Sequence, residues 1–241
     1  MPRKKNNSSF LYITVLTIMF SLGLALFYRS SVFSVQHISV QGLTLSPESE
    51  IIKLASGVHG QNLFLFNQEA LKHKITLHPL VQSVQFQRKL PHTLVIIVTE
   101  RKPFALVVVP KGVLEVDAQG TFLRRLEGWP RNDYPVITGI NLKDTVGPGQ
   151  NLANPSLTAA LNMLGQAPPE LLFQIGELNV DPNQNMTIFL NEGVEVRLGQ
   201  AYDWKPKLNA LFQLVSTDEY KSFQQGVRYI DFTAAKPVIG R

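Results

Sequence analysis

The chain has 241 residues, no cysteine, and 23 basic against 18 acidic side chains. It is long enough for one or two domains with proper cores, and the lack of Cys excludes thiolate catalysis and Cys-based metal sites. The net charge of +5 does not point to nucleic acid: three of the basic residues are Arg3, Lys4 and Lys5, the other 20 nearly cancel the 18 acids, and no basic stripe stands out.

Phe10 to Tyr28 is a run without a charge. As a helix it spans about 28 Å, close to the ~30 Å hydrocarbon core of a bilayer. The basic cluster before it keeps the N-terminus in the cytoplasm by the positive-inside rule. A signal peptide has a shorter apolar region and a small-x-small cleavage site. Here the run ends in the bulky Leu26-Phe27-Tyr28-Arg29, and Ala25 has no small partner two residues on. The expectation is a retained anchor: residues 1–9 a cytoplasmic tail, 10–28 the span, and everything after it extracytoplasmic.

Val32 to Val40 is a predicted strand ended by Gly42, and Ser46-Pro47-Glu48 starts a helix to about residue 55, with Ser46 as its cap. Asn67 caps a second helix, about 68–76, which Pro79 ends. Val81, Val84 and Phe86 open a strand, Leu90-Pro91-His92-Thr93 turns, and Leu94 to Thr99 is a strand rich in β-branched residues.

After residue 103 the texture becomes β-rich. Strands are expected at 105–109, 113–116, 123–126, 173–180, 186–190, 194–198 and 226–233. Helices are expected from Asn154-Pro155 to about Leu164 and from Lys205 to Val215. Asp117, Asp181 and Asp203 sit at turns or helix starts, where capping accounts for them.

The segment from Val84 to Ala105 carries the pattern V-x-x-x-R-x-x-P-x-x-L-x-I-x-V-x-E-R-x-P-x-A, set by Arg88, Pro91, Glu100, Arg101 and Pro103. Upstream stand Val40-Gln41-Gly42 and Gly60-Gln61-Asn62-Leu63-Phe64. Downstream come Tyr134-Pro135-Val136-Ile137-Thr138-Gly139, Val196-Arg197-Leu198-Gly199 and Tyr229-Ile230-Asp231-Phe232. In this order the set resembles the FtsQ/DivIB family of bacterial cell-division proteins, over nearly the whole chain.

The resemblance implies an α+β protein: a single N-terminal transmembrane helix, a POTRA domain (β-α-α-β-β) over 32–102, and a β-rich domain with two or three helices over 103–241. It implies no cofactor, metal or catalysis, and a location in the cytoplasmic membrane, concentrated at the division septum. The family's C-terminal strands dock the small coiled-coil protein FtsB (DivIC in other bacteria), which acts with FtsL. Carried over, that assigns partner binding to Tyr229, Ile230, Asp231, Phe232, Thr233, Val238 and Gly240, on the expectation that the strand through Tyr229 lies at a sheet edge. The same residues could instead belong to a protected edge with Tyr229 and Phe232 buried. Arg88, Pro91, Glu100, Arg101 and Pro103 are candidates for an interdomain or recruitment contact, the alternative for Glu100 and Arg101 being a solvated or paired strand end.

Nothing in the residues suggests a reaction. His37, His59, His73, His78 and His92 lack metal-ligand spacing, and no nucleophile-elbow, zinc-helix or phosphate-loop motif occurs. Trp129 and Trp204 could stack on sugars but read first as packing residues. Rival readings are an outer-membrane assembly or secretion factor, which also uses POTRA domains, and a membrane-anchored cell-wall-binding or hydrolytic protein.

Overall fold

The protein is described from a computed structural model, which covers residues 7–128, 134–142, 146–200, 204–234 and 236–240. The chain divides into two units, 1–100 and 101–241.

The first unit begins with α1 (Asn7–Tyr28), an uninterrupted apolar helix whose span is not buried against protein. The hydroxyls of Thr14 and Thr17 donate to the carbonyls of Phe10 and Ile13 at 2.9 and 2.8 Å. These polar groups are thus satisfied within the helix, as a hydrocarbon environment demands. A 3-10 turn, Ser31–Phe33, follows.

Three strands, β1 (His37–Gln41), β2 (Val81–Lys89) and β3 (Thr93–Glu100), form a sheet in the order β1-β3-β2, with β1 parallel and β2 antiparallel to β3. Helices α2 (Glu48–Ala55) and α3 (Gln68–Thr76) cover one face. The period-2 pattern of β3 sends Leu94, Ile96 and Val98 into a core with Ile51, Ala55, Leu71 and Ile75. Asn67 caps α3, accepting from Ala70 N at 3.0 Å.

Two expectations change here. The first strand starts at His37, because residues 31–33 are coiled as a 3-10 turn. Pro47, not Ser46, occupies the cap position of α2, and Ser46 instead gives its N–H to Glu100. Gly42 has φ +86°, and a Cβ there would collide with the Val98 carbonyl, so the glycine lets β1 leave the sheet against β3.

Among the described residues the second unit is one nine-stranded sheet with helices packed on it. Its strands are β4 (Pro103–Val109), β5 (Gly112–Asp117), β6 (Phe122–Leu126), β7 (Val136–Thr138), β8 (Ile175–Val180), β9 (Met186–Leu190), β10 (Glu195–Gly199), β11 (Tyr229–Asp231) and β12 (Val238–Gly240). Their order is β12-β11-β10-β9-β8-β7-β4-β5-β6. The helices are α4 (Pro155–Gln166), α5 (Pro169–Leu172), α6 (Lys205–Ser216) and α7 (Asp218–Phe223). Asn154 caps α4 as expected, accepting from Leu157 N at 3.0 Å. Leu157, Leu161 and Leu164 of α4 and Leu208 and Leu211 of α6 meet Leu178, Ile188, Val196 and Ile230 of the sheet in one core.

β7 is only three residues long, yet it joins the two halves of the sheet, running parallel to both β4 and β8. Gly139 just after it has φ +78°, and a Cβ there would strike the Val180 carbonyl. β10 and β11 are also parallel, so the chain must cross over between them, and α6 and α7 make that crossover.

Candidate partner-binding edge

The sheet ends at β12. The strand through Tyr229 was expected to be the edge; it is not. β11 pairs on one side with β10 (Glu195↔Tyr229, Arg197↔Asp231) and on the other with β12 (Tyr229↔Gly240, Asp231↔Val238). The physical reason lies in Thr233 to Pro237. Asp231 Oδ1 accepts from Thr233 N at 2.7 Å and from the Thr233 hydroxyl at 2.6 Å, which turns the chain immediately after β11. Pro237 then ends the turn, and Val238-Ile239, two β-branched residues, return as a strand. Among the described residues no strand lies on the outer side of β12.

The candidate residues therefore separate into two groups. Phe232 is 6% exposed, and Ile230 is fully buried; both belong to the core. Tyr229, Asp231, Val238 and Gly240 share the opposite face with Glu195 and Arg197 of β10. The Arg197 guanidinium lies over the Tyr229 ring, 4.6 Å from its centroid, and its Nε donates to Glu195 Oε1 at 2.7 Å. Thr233 holds the Asp231 carboxyl below the usual carboxylate range through its hydroxyl and its N–H. Val238 and Ile239 are 48% and 37% exposed.

Ile239, Glu195 and Arg197 were not anticipated. The Val-Ile pair after Pro237 was the available signal for Ile239. The V-x-L-G element drew attention to Val196 and Leu198, which face the core, and away from Arg197 between them.

The second candidate set lies elsewhere. Arg88 Nε donates to Leu63 O at 2.9 Å, and its guanidinium sits 5.8 Å from the Phe64 ring centroid. Pro91 follows a cis peptide bond in the β2–β3 turn. Glu100, 8% exposed, accepts four hydrogen bonds at 2.6–2.8 Å, from Thr44 N, Thr44 Oγ1, Leu45 N and Ser46 N. Burial pushes its pKa up, but the bonds from Ser46, Thr44 and Leu45 outweigh that and bring it down to about 2. Its oxygens are thus committed to the loop entering α2, which matches the alternative of a paired strand end. Arg101 pairs with Asp117 at 2.9 Å and reaches Thr121 Oγ1 at 3.3 Å. Asp117 also takes the N–H groups of Gln119 and Thr121 in its turn. Pro103 is the first residue of β4.

His78 Nε2 lies 2.8 Å from Glu50, and His37 packs edge-on against His92. Among the described residues no three His, Asp or Glu side chains are placed to share a metal ion. Trp204 is 6% exposed, too covered for a stacking platform; the cavity of about 430 Å3 beside it is lined by Asn162, Gln166, Gln184 and Gln200. Trp129 and Asp203 lie outside the described residues.

An apolar helix of membrane-crossing length, a β-α-α-β-β unit and a mixed β-rich unit define a membrane-anchored POTRA protein of α+β class. Residues 33–101 match the FtsQ-type POTRA domain, and residues 105–232 match the C-terminal domain of cell division protein FtsQ/DivIB, a match that stops short of β12. The chain is similar to cell division protein FtsQ of Anaeromyxobacter sp. (30% identity, covering 88% of this chain and 72% of the relative). It is also similar to cell division protein DivIB of Clostridium botulinum (25% identity, 92% and 85%). The solved extracytoplasmic domain of DivIB from Geobacillus stearothermophilus aligns with a TM-score of 0.37 at 18% identity, over 50% of this chain and 96% of that one. The chain belongs to the FtsQ/DivIB family of cell division proteins.

Proposed function

We propose that this protein is a non-enzymatic, bitopic scaffold of the division machinery that links early and late division proteins. Its short N-terminal tail lies in the cytoplasm, α1 is retained in the membrane, and both folded units lie outside. A partner of the FtsB/DivIC type, acting with FtsL, adds a strand to β12, and through that complex the scaffold regulates septal peptidoglycan synthesis.

The observation that carries this reading is the open outer side of β12, bordered by the part-exposed Val238 and Ile239. Backbone groups on such an edge pair with an added strand, and flanking side chains set the specificity. The packing also changes which residue should be altered to test it. A charge at Phe232 would enter the core and unfold the domain, whereas Val238→Lys alters a half-exposed edge position whose new charge complements Asp231 opposite it. With the full chain in lipid nanodiscs, V238K should lower affinity for the FtsB-like partner at least about tenfold, equivalent to ~1.4 kcal/mol, with the melting temperature unchanged. Undiminished affinity would remove β12 as the docking edge. A fluorescent fusion of the intact protein should concentrate at midcell.

A further inference from the structure

The C-terminal end of α1 does not run into a free linker. A helix end leaves its last carbonyls without partners. Here Asn62 Nδ2 donates to Tyr28 O at 2.9 Å and reaches Ser30 O at 3.4 Å, while Asn62 Oδ1 accepts from Phe64 N at 2.9 Å. Leu63 N donates to Phe33 O at 2.7 Å. Four rings close the junction edge to face: Phe27 on Phe33 at 5.1 Å, Phe33 on Phe64 at 5.2 Å, and Tyr28 on Phe64 at 5.3 Å. The turn around residues 61–66 is thereby clamped to the end of the membrane helix.

Two aliphatic side chains on this junction are open to solvent, Val32 at 55% and Leu65 at 62%. Arg29, the residue directly after α1, is exposed, and Arg88 lies over Phe64. The headgroup layer on each side of a bilayer is about 5–8 Å deep. Leu65 is three residues from Asn62, at most about 10 Å of chain, and Asn62 touches the last residue of α1. If α1 crosses the membrane, these side chains cannot be far from that layer. An aromatic cluster with aliphatic and basic neighbours suits it, since rings settle at the headgroup level and Arg reaches phosphate.

We propose that the POTRA unit rests on the outer lipid surface, with Val32 and Leu65 inserted among the headgroups and Arg29 and Arg88 against the phosphates. The unit is then mounted on the membrane and not tethered above it. This rests on the reading of α1 as a retained membrane span.

The chain lacks cysteine, so single Cys substitutions can carry a spin label without background. Labels at V32C and L65C would be compared in full-length protein in phosphatidylglycerol-containing liposomes. L16C provides a reference inside α1, and Q82C one about 20 Å along β2 from Arg88. Labels at 32 and 65 should collide several-fold more with dissolved oxygen than with a water-soluble nickel chelate, relative to Q82C, and Asn62→Ala should reduce that contrast. Nickel access at 32 and 65 equal to that at 82, or shielding from both reagents, would overturn the proposal. Nickel access at position 16 as well would remove the membrane span itself.

Discussion

The ring of Tyr229 occupies the space where a Cβ on Gly240 would sit. The two residues face each other across the β11–β12 pair, and Arg197 lies on the ring from the neighbouring strand. An aromatic side chain lying across a glycine of the edge strand covers backbone that the glycine leaves bare. It follows that Gly240→Ala should displace the ring from Arg197 and loosen β12. Amide hydrogen exchange at Val238, whose N–H faces Asp231 across the pair, should quicken by about tenfold, while global melting changes little. Unchanged exchange would mean that β12 is held by its ladder alone.

Glu100 governs a different property. Its folded pKa of about 2 lies below the value of 4.5 expected for a free carboxyl. Its contribution is therefore complete above pH 5 and is lost as pH falls through the folded value. Glu100→Gln keeps the shape but puts an amide against three N–H donors, at a cost of about 1–3 kcal/mol near neutral pH. Urea unfolding of the intact protein at pH 7 and pH 3 should show a smaller pH effect in E100Q than in the parent. An equal slope in both would assign the acid sensitivity to other carboxylates.

Gly139→Ala should be among the most damaging small substitutions. A Cβ at φ +78° is strained, and here it also strikes the Val180 carbonyl across the β7–β8 pair. The expected loss is about 2–4 kcal/mol, read as a lowered thermal midpoint. Gly193→Ala, which also has positive φ but open space around it, should cost less.

Arg101→Ala should destabilise the second unit by leaving the buried Asp117 without its cation, about 1–3 kcal/mol. Asp117 keeps the N–H groups of Gln119 and Thr121 in the variant. R101K should recover only part of the loss, since the lysine ammonium ends one atom short of the Nη1 that meets both Asp117 and Thr121.

Much of this was legible in the sequence wherever local chemistry decides the outcome. Asn67 and Asn154 cap their helices because short side chains bond to nearby N–H groups whatever the rest of the fold does. β3 was legible from its β-branched alternation. What escaped was decided by distant partners. Ser46 looked like a helix cap, but Glu100, 54 residues away, takes its N–H. β7 is too short for a periodic pattern and is a strand only because β4 and β8 flank it. β12 escaped for the same reason, and its omission moved the expected edge inward by one strand.

The brevity of β12 limits what docking can achieve through main chain alone. Three residues span about 10 Å and can offer two or three inter-strand bonds, each worth about 1 kcal/mol net, which falls short of the ~4 kcal/mol that even millimolar affinity requires. A visiting strand of ordinary length must overhang, and the grip has to come from its side chains meeting the Tyr229–Arg197 stack on one face or Ile239 on the other. Discrimination between cognate and foreign strands would then reside in a patch of a few residues, so that exchanging those few should retune partner choice without rebuilding the sheet.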